Sequence, residues 1–135
     1  RRTGRLADGW IMAPFGASDA LNAGIERVRA SAEAAGRDPS SLAMGRLLYV
    51  CVDDDRRRAR ERLGRFLAGY YGSSGPVEVD RDGIFGSAEE VAERLSAQVR
   101  AGIAHPMIAL PDLGHEQLDE IAENVVPAMR AAVQR

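Results

Sequence analysis

Short apolar runs alternate with amphipathic segments along this chain. Three of these runs have no polar face and are too short for helices, so we predict buried strands at residues 10–13, 47–52 and 107–110. Because strands alternate with helical segments, the pattern favours right-handed βαβ units. The prediction is an α/β fold in which the strands pair in parallel and helices pack outside.

Local signals mark where the helices begin and end. Ser18 or Asp19 can cap a helix that Gly36 ends, because glycine suits the left-handed position after a last turn. Ser87 and Glu90 have the spacing of a capping box, which predicts the start of another helix. These helices separate the predicted strands.

Two segments depart from this regular pattern. An apolar stripe at helical spacing is followed by Gly and Ser residues, and we predict an irregular loop over residues 73–85. The stripe consists of Ala59, Leu63, Phe66, Leu67 and Tyr70. Pro127 lies inside the last helical pattern, where its missing N–H predicts a kink or a break.

Composition narrows the possible functions. The 135 residues, 45% hydrophobic and 28% charged, are typical of one globular domain, and we assign residues 1–135 to it. All 18 basic residues are Arg against 20 acidic ones, so the formal charge of -2 disfavours a nucleic-acid partner. The absence of lysine from the sequence excludes Schiff-base and P-loop lysine chemistry within it.

Cysteine content and apolar run length bear on the compartment. The single cysteine, Cys51, lies in an apolar run, and a reducing cytoplasm fits best. No run approaches the roughly 20 apolar residues that span a bilayer, so we expect neither a membrane partner nor secretion. The chain opens on what resembles the end of an amphipathic helix, and we expect further residues upstream of Arg1.

Five segments occur in an order that resembles a known family. They are Arg5–Trp10, Ala35–Pro39, Leu48–Asp55, Phe85–Val91 and Val126–Arg130. In this order they are similar to the C-terminal part of the luciferase-like monooxygenases, which include bacterial luciferase relatives and deazaflavin-dependent oxidoreductases. The resemblance covers nearly the whole chain and implies a (β/α)8 TIM barrel.

The length agrees with part of such a barrel. A full barrel takes about 250 residues, or roughly 31 per βα unit, so this chain corresponds to about three units. The resemblance makes the three strands the sixth, seventh and eighth of the barrel. It also implies a flavin- or deazaflavin-dependent oxidoreductase or monooxygenase with a small-molecule substrate. The cofactor would be FMN or a deazaflavin, with its phosphate site and most catalytic positions upstream.

Two groups of residues are candidate sites. Barrel enzymes place their chemistry at the C-terminal ends of strands. Ala13 ends the first predicted strand and Pro14 and Phe15 follow it, so these three residues could line a substrate or cofactor pocket. Gly86 and Ser87 precede a helix N-terminus that could bind a cofactor phosphate, although the capping box already explains Ser87. No catalytic residue is assigned.

Other reactive residue types have simpler explanations. We interpret His105, which precedes a proline at the start of a strand, as structural, and Cys51 as a buried small apolar residue. His115 has no partner at metal spacing, so no metal site is predicted. The arginine-rich run over residues 56–62 is interpreted as a solvated helix face.

These observations leave three hypotheses open. The chain is a segment of the oxidoreductase, contributing pocket wall but inactive alone, or a non-catalytic half-barrel or dimerising module without a cofactor of its own. The third hypothesis is a different phosphate-binding barrel anchored at Gly86 and Ser87. Because missing units would leave strand edges and apolar faces uncovered, we expect a homo-oligomer.

Overall fold

The computed structural model describes residues 1–15, 18–72, 75, 77–112 and 114–133, without the side chains of residues 18 and 19. In chain order the elements are α1 (Arg2–Leu6), β1 (Gly9–Met12), α2 (Ser18–Glu33), a 3-10 turn (Pro39–Ser41), β2 (Ala43–Val52), α3 (Arg56–Tyr71), α4 (Val79–Asp82), β3 (Gly83–Gly86), α5 (Ala88–Arg100), β4 (His105–Ala109), α6 (His115–Glu120), a π-helical turn (Ile121–Val125) and α7 (Val126–Val133).

All the described strands pair in parallel around β2, as predicted. Gly45 and Arg46 have partners in both β1 and β4, so these two strands lie on opposite edges of β2. Tyr49 has partners in both β3 and β4, which places β3 on the same edge as β1, further along. One edge of β2 therefore holds β1 and then β3, and the other edge holds β4.

The strand bounds differ from the predictions in ways that the side chains explain. β2 begins at Ala43, four residues before the predicted start, because Gly45 and Arg46 interrupt the apolar pattern but still pair in the sheet. β1 and β4 each begin one or two residues earlier than predicted and end one residue earlier. Pro106 is the second residue of β4, near the strand start as expected.

The irregular loop predicted for residues 73–85 is wrong over its second half. This part of the chain forms α4 and then β3, which pairs with residues 49–52 of β2. β3 contains only Ile84 and Phe85 between two glycines, so the apolar run was too short to predict a strand. The sheet therefore has one strand more than the sequence indicated.

The two faces of β2 are covered by different helices. Leu48, Val50 and Val52 pack against α5 and the π-helical turn, and we call this side the outer face. Tyr49 and Cys51 pack against α3 on the opposite side, the inner face. The predicted outside packing therefore holds for α2 and α5, whereas α3 covers the inner face.

The position of α3 follows from the direction of the chain across the sheet. The path from β1 to β2 to β4 crosses the sheet in one direction, whereas the step from β2 to β3 goes back toward the edge of β1. Crossovers of the same right hand place their helices on opposite faces when their directions are opposite. The connection through α3 is therefore expected on the inner face.

The C-terminal half of the inner face is covered, and the N-terminal half is open. Ala59, Leu63 and Leu67 of α3 are buried there as predicted. Tyr70 was predicted to join this stripe, but it is 69% exposed, because Tyr71 makes the contact with Tyr49 instead. Toward the N-terminal ends of the strands, the inner face exposes apolar side chains, Ile11 by 59% and Met107 by 46%.

Two helix ends confirm the local signals. Gly36 has a φ of 71°, and the Arg37 N–H donates to the Ala32 carbonyl, which closes a Schellman motif. The predicted capping box of α5 is present, with Ser87 and Glu90 each bonded to the other's backbone N–H. The predicted cap at Ser18 or Asp19 lies outside the described side chains.

The last helix accommodates Pro127 without a break. The π-helical turn ends one residue before α7, and the Val126 N–H donates to the carbonyl of Ile121, five residues back. This wider turn precedes the position where Pro127 lacks an N–H. The chain remains helical from His115 to Val133. None of the described helices is long and apolar enough to cross a lipid bilayer.

Candidate functional site

The C-terminal ends of the parallel strands meet at one edge of the sheet. Met12 ends β1 beside Arg46, and Ala109 ends β4 beside Tyr49, three residues further along β2. Gly86 ends β3 beside Val52, the last residue of β2. The segments that follow these ends carry the candidate residues, because parallel α/β proteins bind ligands at this edge.

Ala13, Pro14 and Phe15 lie together after β1, but they do not all face solvent. Ala13 is exposed and Phe15 is 37% exposed, so both are available to line a pocket. Pro14 is buried, and its carbonyl oxygen accepts a hydrogen bond from Arg46 at 3.4 Å. Pro14 therefore anchors the segment, and Ala13 and Phe15 provide its accessible apolar surface.

Arg46 holds this segment through its hydrogen bond to Pro14, a role that the sequence did not indicate. Its side chain is 6% exposed, and it donates to the Gln98 amide oxygen of α5 at 2.9 Å as well as to Pro14. Burial lowers the pKa of the Arg46 guanidinium, and the charge of Asp82 opposes that shift. The available signal was an arginine directly before the apolar run of β2, but its partners lie 32 and 52 residues away.

Gly86 and Ser87 lie at the N-terminus of α5, where a carboxylate already occupies the anion position. The Ser87 N–H donates to Glu90 Oε2 at 3.0 Å, and the Glu90 N–H donates to Ser87 Oγ at 3.3 Å. Arg56 donates to Glu90 Oε1 at 2.9 Å. A phosphate bound here would have to displace Glu90 from the Ser87 N–H and from Arg56. The phosphate site at Gly86 and Ser87 stays a prediction.

The glycine at position 86 has its own structural reason. Its φ is 134°, a backbone conformation that side-chain-bearing residues rarely adopt. A Cβ at this position would overlap the Glu90 carboxylate. Gly86 therefore allows Glu90 to fold back over the helix end.

Two guanidinium groups flank the ring of Phe85 close to this helix end. The Arg56 guanidinium carbon lies 4.9 Å from the ring centroid and that of Arg94 lies 5.9 Å from it. Burial, together with the nearby Arg56 charge, lowers the pKa of Arg94. Positive charge is thus concentrated beside Glu90, which partly neutralises it.

A polar cavity of about 250 Å³ lies at the end of β2, between α3 and α6. Its floor is held by Gln117, whose amide accepts from the Val52 N–H at 2.9 Å and donates to the Val52 carbonyl at 2.7 Å. Its walls include Asp53, Asp54 and Arg62. Gln117 extends the hydrogen bonding of β2 where β4 has ended, a role that the sequence did not indicate.

The remaining candidates are placed away from this edge or buried. His105 is the first residue of β4, at the N-terminal end as expected, and His115 is exposed at the start of α6. Cys51 is fully buried, and burial raises the pKa of its thiol to about 11. Arginines of the 56–62 run bond to carboxylates around α3, among them Arg58 to Asp53 and Arg62 to Asp112.

Comparison with known proteins identifies relatives of this chain. It is 32% identical over 141 residues to an F420-dependent hydroxymycolic acid dehydrogenase from Mycobacterium tuberculosis. This match covers 94% of this chain and 39% of that protein. It matches an F420-dependent secondary alcohol dehydrogenase, solved with an F420–acetone adduct, with a TM-score of 0.76 and 26% identity over 94% of this chain and 44% of the other. A long-chain alkane monooxygenase shares the fold, with a TM-score of 0.68 and 17% identity over 96% of this chain and 38% of the other.

These matches bear on both fold and family. The structural relatives are TIM-barrel enzymes, and the predicted fold class, part of a (β/α)8 barrel with parallel strands, is confirmed. The chain spans about two fifths of the length of these relatives. The model of the family described as luciferase-like monooxygenase matches residues 1–105. The strand order, the helix signals and these matches agree, and the chain belongs to the luciferase-like monooxygenase family.

Proposed function

We propose that this chain forms part of the pocket wall of an F420- or FMN-dependent oxidoreductase or monooxygenase acting on a small molecule. When bound, such a cofactor supplies hydride or peroxide chemistry at its ring system. The residues of this chain would orient the ring or the substrate and exclude water at the C-terminal edge of the sheet.

The observation that carries this proposal is the placement of Phe15. Its ring is 37% exposed, directly after β1, in a chain of the luciferase-like family. Arg46 and Pro14 hold the segment that carries it, so the ring belongs to an anchored wall rather than to a free loop. A partly exposed aromatic ring on an anchored segment suits a pocket that encloses a planar ligand.

In this proposal the chain contributes part of the pocket wall, and other residues of the enzyme bind the cofactor phosphate. The Glu90 carboxylate accepts from the Ser87 N–H, and the Glu90 N–H donates to Ser87 Oγ, which supports a phosphate site elsewhere. The chain also spans about two fifths of its relatives. We therefore expect the 135 residues alone to bind neither FMN nor F420 tightly and to catalyse no oxidation.

A fluorescence titration tests this proposal. FMN and F420 are titrated into the 135-residue chain and into a version extended upstream through its own reading frame. The extended protein should bind one of the two cofactors, and Phe15→Ala should weaken that binding by about 2- to 12-fold, the range for one aromatic contact. Leu118→Ala, which changes an exposed apolar residue on α6, should leave the dissociation constant unchanged.

Two results would refute the proposal. Failure of the extended protein to bind either cofactor would remove the assigned function. Micromolar binding by the 135-residue chain, lost on Phe15→Ala, would show that the chain holds the cofactor site without upstream residues.

A second candidate function is a non-catalytic module that associates with copies of itself. It is favoured by the open half of the inner face, where Ile11 and Met107 are exposed, and by the free edges of β1 and β4, each of which pairs only with β2 among the described residues. Parallel sheets are normally covered on both faces. Both candidate functions include a homo-oligomer in which a second copy covers the open half of the inner face.

The cytoplasm is the compartment we propose for the protein. The support is Cys51, a single buried thiol in an apolar core, which suits a reducing environment. Fractionation of cells that produce the extended protein tests this assignment, and recovery outside the cytoplasmic fraction would contradict it.

A further inference from the structure

Arg94 differs from the other arginines in how its charge is satisfied. Four arginines of the described chain are not exposed, namely Arg37, Arg46, Arg62 and Arg94. The first three donate to oxygen atoms of this chain, for example Arg62 to Asp112. Arg94 has neither a hydrogen bond nor an ion pair within the part of the chain that the structure describes. Among these residues it is therefore a half-buried cation without an acceptor.

The surroundings of Arg94 raise the free-energy cost of its charge. Its guanidinium carbon lies 5.9 Å from the Phe85 ring centroid, and that of Arg56 lies 4.9 Å from the same centroid. Burial and the neighbouring Arg56 charge lower the pKa of Arg94, and the charge of Glu90 opposes this shift. The Glu90 carboxylate itself is bonded to Arg56 and to the Ser87 N–H. Because a buried charge is costly unless it is paired, we expect Arg94 to meet an anionic acceptor from outside this chain.

This expectation does not depend on whether Arg94 is exposed in the full-length enzyme. Residues that covered it without offering an acceptor would desolvate the guanidinium further and increase the cost of its charge. The acceptor is therefore either a carboxylate of other protein residues or an anionic group of a ligand. The position of Arg94 in the fold favours the ligand.

Arg94 lies close to the segment that carries Phe15. It precedes Gln98 by one turn of α5, so the two side chains project from the same side of the helix, about 5–6 Å apart at their Cβ atoms. Gln98 accepts from Arg46, which also donates to the carbonyl of Pro14, the residue before Phe15. Because α5 begins at the C-terminal edge of the sheet, Arg94 is nearer to that edge than Gln98. A cation thus lies beside the proposed pocket wall, on the side where parallel α/β proteins bind ligands.

We propose that Arg94 binds the carboxylate of a small-molecule substrate. The assignment rests on the proposed function and names its substrate class, a carboxylic acid with an apolar body. Ligand pockets are mostly apolar, with a few polar groups that fix the orientation of the ligand. Here Phe15 would contact the apolar body, and the guanidinium would donate two parallel hydrogen bonds to the carboxylate. A single carboxylate also balances the one positive charge that remains when Glu90 is paired with Arg56.

The test titrates benzoate, which carries a carboxylate on an apolar ring, into the upstream-extended protein labelled with nitrogen-15. NMR records the side-chain Nε–Hε resonance of Arg94, which is assigned by its loss in Arg94→Gln. We expect this resonance to shift on addition of benzoate. Benzamide, which has the same ring without the charge, should bind at least about fivefold more weakly.

Matched variants and a second anion sharpen the test. Arg94→Gln should weaken benzoate binding by about 5- to 12-fold, because it removes charge-assisted hydrogen bonds at a half-buried site. The control Arg65→Gln removes an exposed arginine of α3 and should stay within about twofold of the original. Inorganic phosphate represents the other common class of oxyanion, and we expect it to bind more weakly than benzoate.

Several outcomes would overturn the assignment. These are an Arg94 resonance that benzoate does not shift, equal binding of benzamide, tighter binding of phosphate, and an Arg65→Gln effect as large as that of Arg94→Gln. A shift in the 135-residue chain that is absent from the extended protein would show that other protein residues supply the acceptor. The shift is read in the unsubstituted protein, so a variant that fails to fold does not remove the test.

This test is separable from that of the proposed function, because benzoate is titrated without a cofactor. An extended protein that binds F420 or FMN, but in which benzoate leaves Arg94 unchanged, refutes the carboxylate site alone. Benzoate binding at Arg94, with no cofactor binding by the extended protein, refutes the proposed function alone.

Discussion

Arg46 is the one charged side chain within β2, and it is among the few buried charged or polar residues of the described chain. It lies between Gln98 of α5 and the carbonyl of Pro14, so it joins an outer helix to the segment that carries Phe15. A buried arginine is costly unless its donors are used. Its bonds therefore couple the stability of the sheet to the position of the segment that carries Phe15, the proposed pocket wall.

We predict that Arg46→Met lowers the free energy of unfolding by about 1–2 kcal/mol, because Gln98 and the Pro14 carbonyl lose their donor. Urea denaturation measures this change. Adding Gln98→Leu should cost less than the sum of the single changes, since both partners are then apolar. Arg65→Met, at an exposed position of α3, is the control. An Arg46→Met protein as stable as the original would contradict the coupling.

At the scale of elements, the start of α3 depends on ionised carboxylates. Asp55 caps the helix by accepting from the N–H groups of Arg57 and Arg58, and Asp53 accepts from the Asp55 N–H at 2.9 Å. Arg58 donates to both oxygens of Asp53. These bonds fix the turn through which the chain passes from the end of β2 onto the inner face.

Acid should weaken this turn. The hydrogen bonds from Arg58 hold the pKa of Asp53 below its ordinary value of 3.8, so the ionised form stabilises the folded state above that value. This stability is lost as pH falls through the lowered pKa. We expect the free energy of unfolding to fall between pH 5 and pH 3 more steeply in the original chain than in Asp53→Asn, as measured by urea denaturation at each pH. Equal slopes would show that Asp53 does not contribute.

The same elements show what the sequence could predict. The ends of α2 and α5 were predictable because a capping box and a glycine act within a few residues of the helix that they end. β3 was not, because Ile84 and Phe85 form a strand only through residues of β2 more than 30 positions away. The role of Gln117 was not predictable for the same reason, since its hydrogen-bond partner Val52 lies 65 residues earlier in the chain.

At the scale of the whole molecule, the inner face divides into a covered half and an open half. α3 covers Tyr49 and Cys51, whereas Ile11 and Met107 remain exposed on β1 and β4, which pair only with β2 in the described part of the chain. Exposed apolar surface next to unpaired strand edges promotes association. The open half of the inner face is therefore the surface on which we expect two copies to associate.

We predict that the chain self-associates in a concentration-dependent way, as sedimentation velocity can measure. Ile11→Glu combined with Met107→Glu should shift the distribution toward monomer, because charge on this face opposes burial. Leu118→Glu, at an equally exposed position on α6, should leave the distribution unchanged. A compact monomer at all concentrations would count against this interface.

The reversal of the chain at β3 has a consequence for how such barrels can vary. The chain leaves the sheet after Val52, the last residue of β2, and returns to it at Gly83, which pairs with Tyr49, three residues before Val52. The Asp53 N–H also donates to the Gly86 carbonyl at 2.9 Å. The segment between Val52 and Gly83, which includes α3 and α4, therefore leaves the sheet and rejoins it at nearby positions of β2. Such a segment can be exchanged as a cassette, in evolution or by design, without altering the path of β2 or of α5. The sequence of α3 is thus free to diversify while β2 keeps its register with β1 and β4.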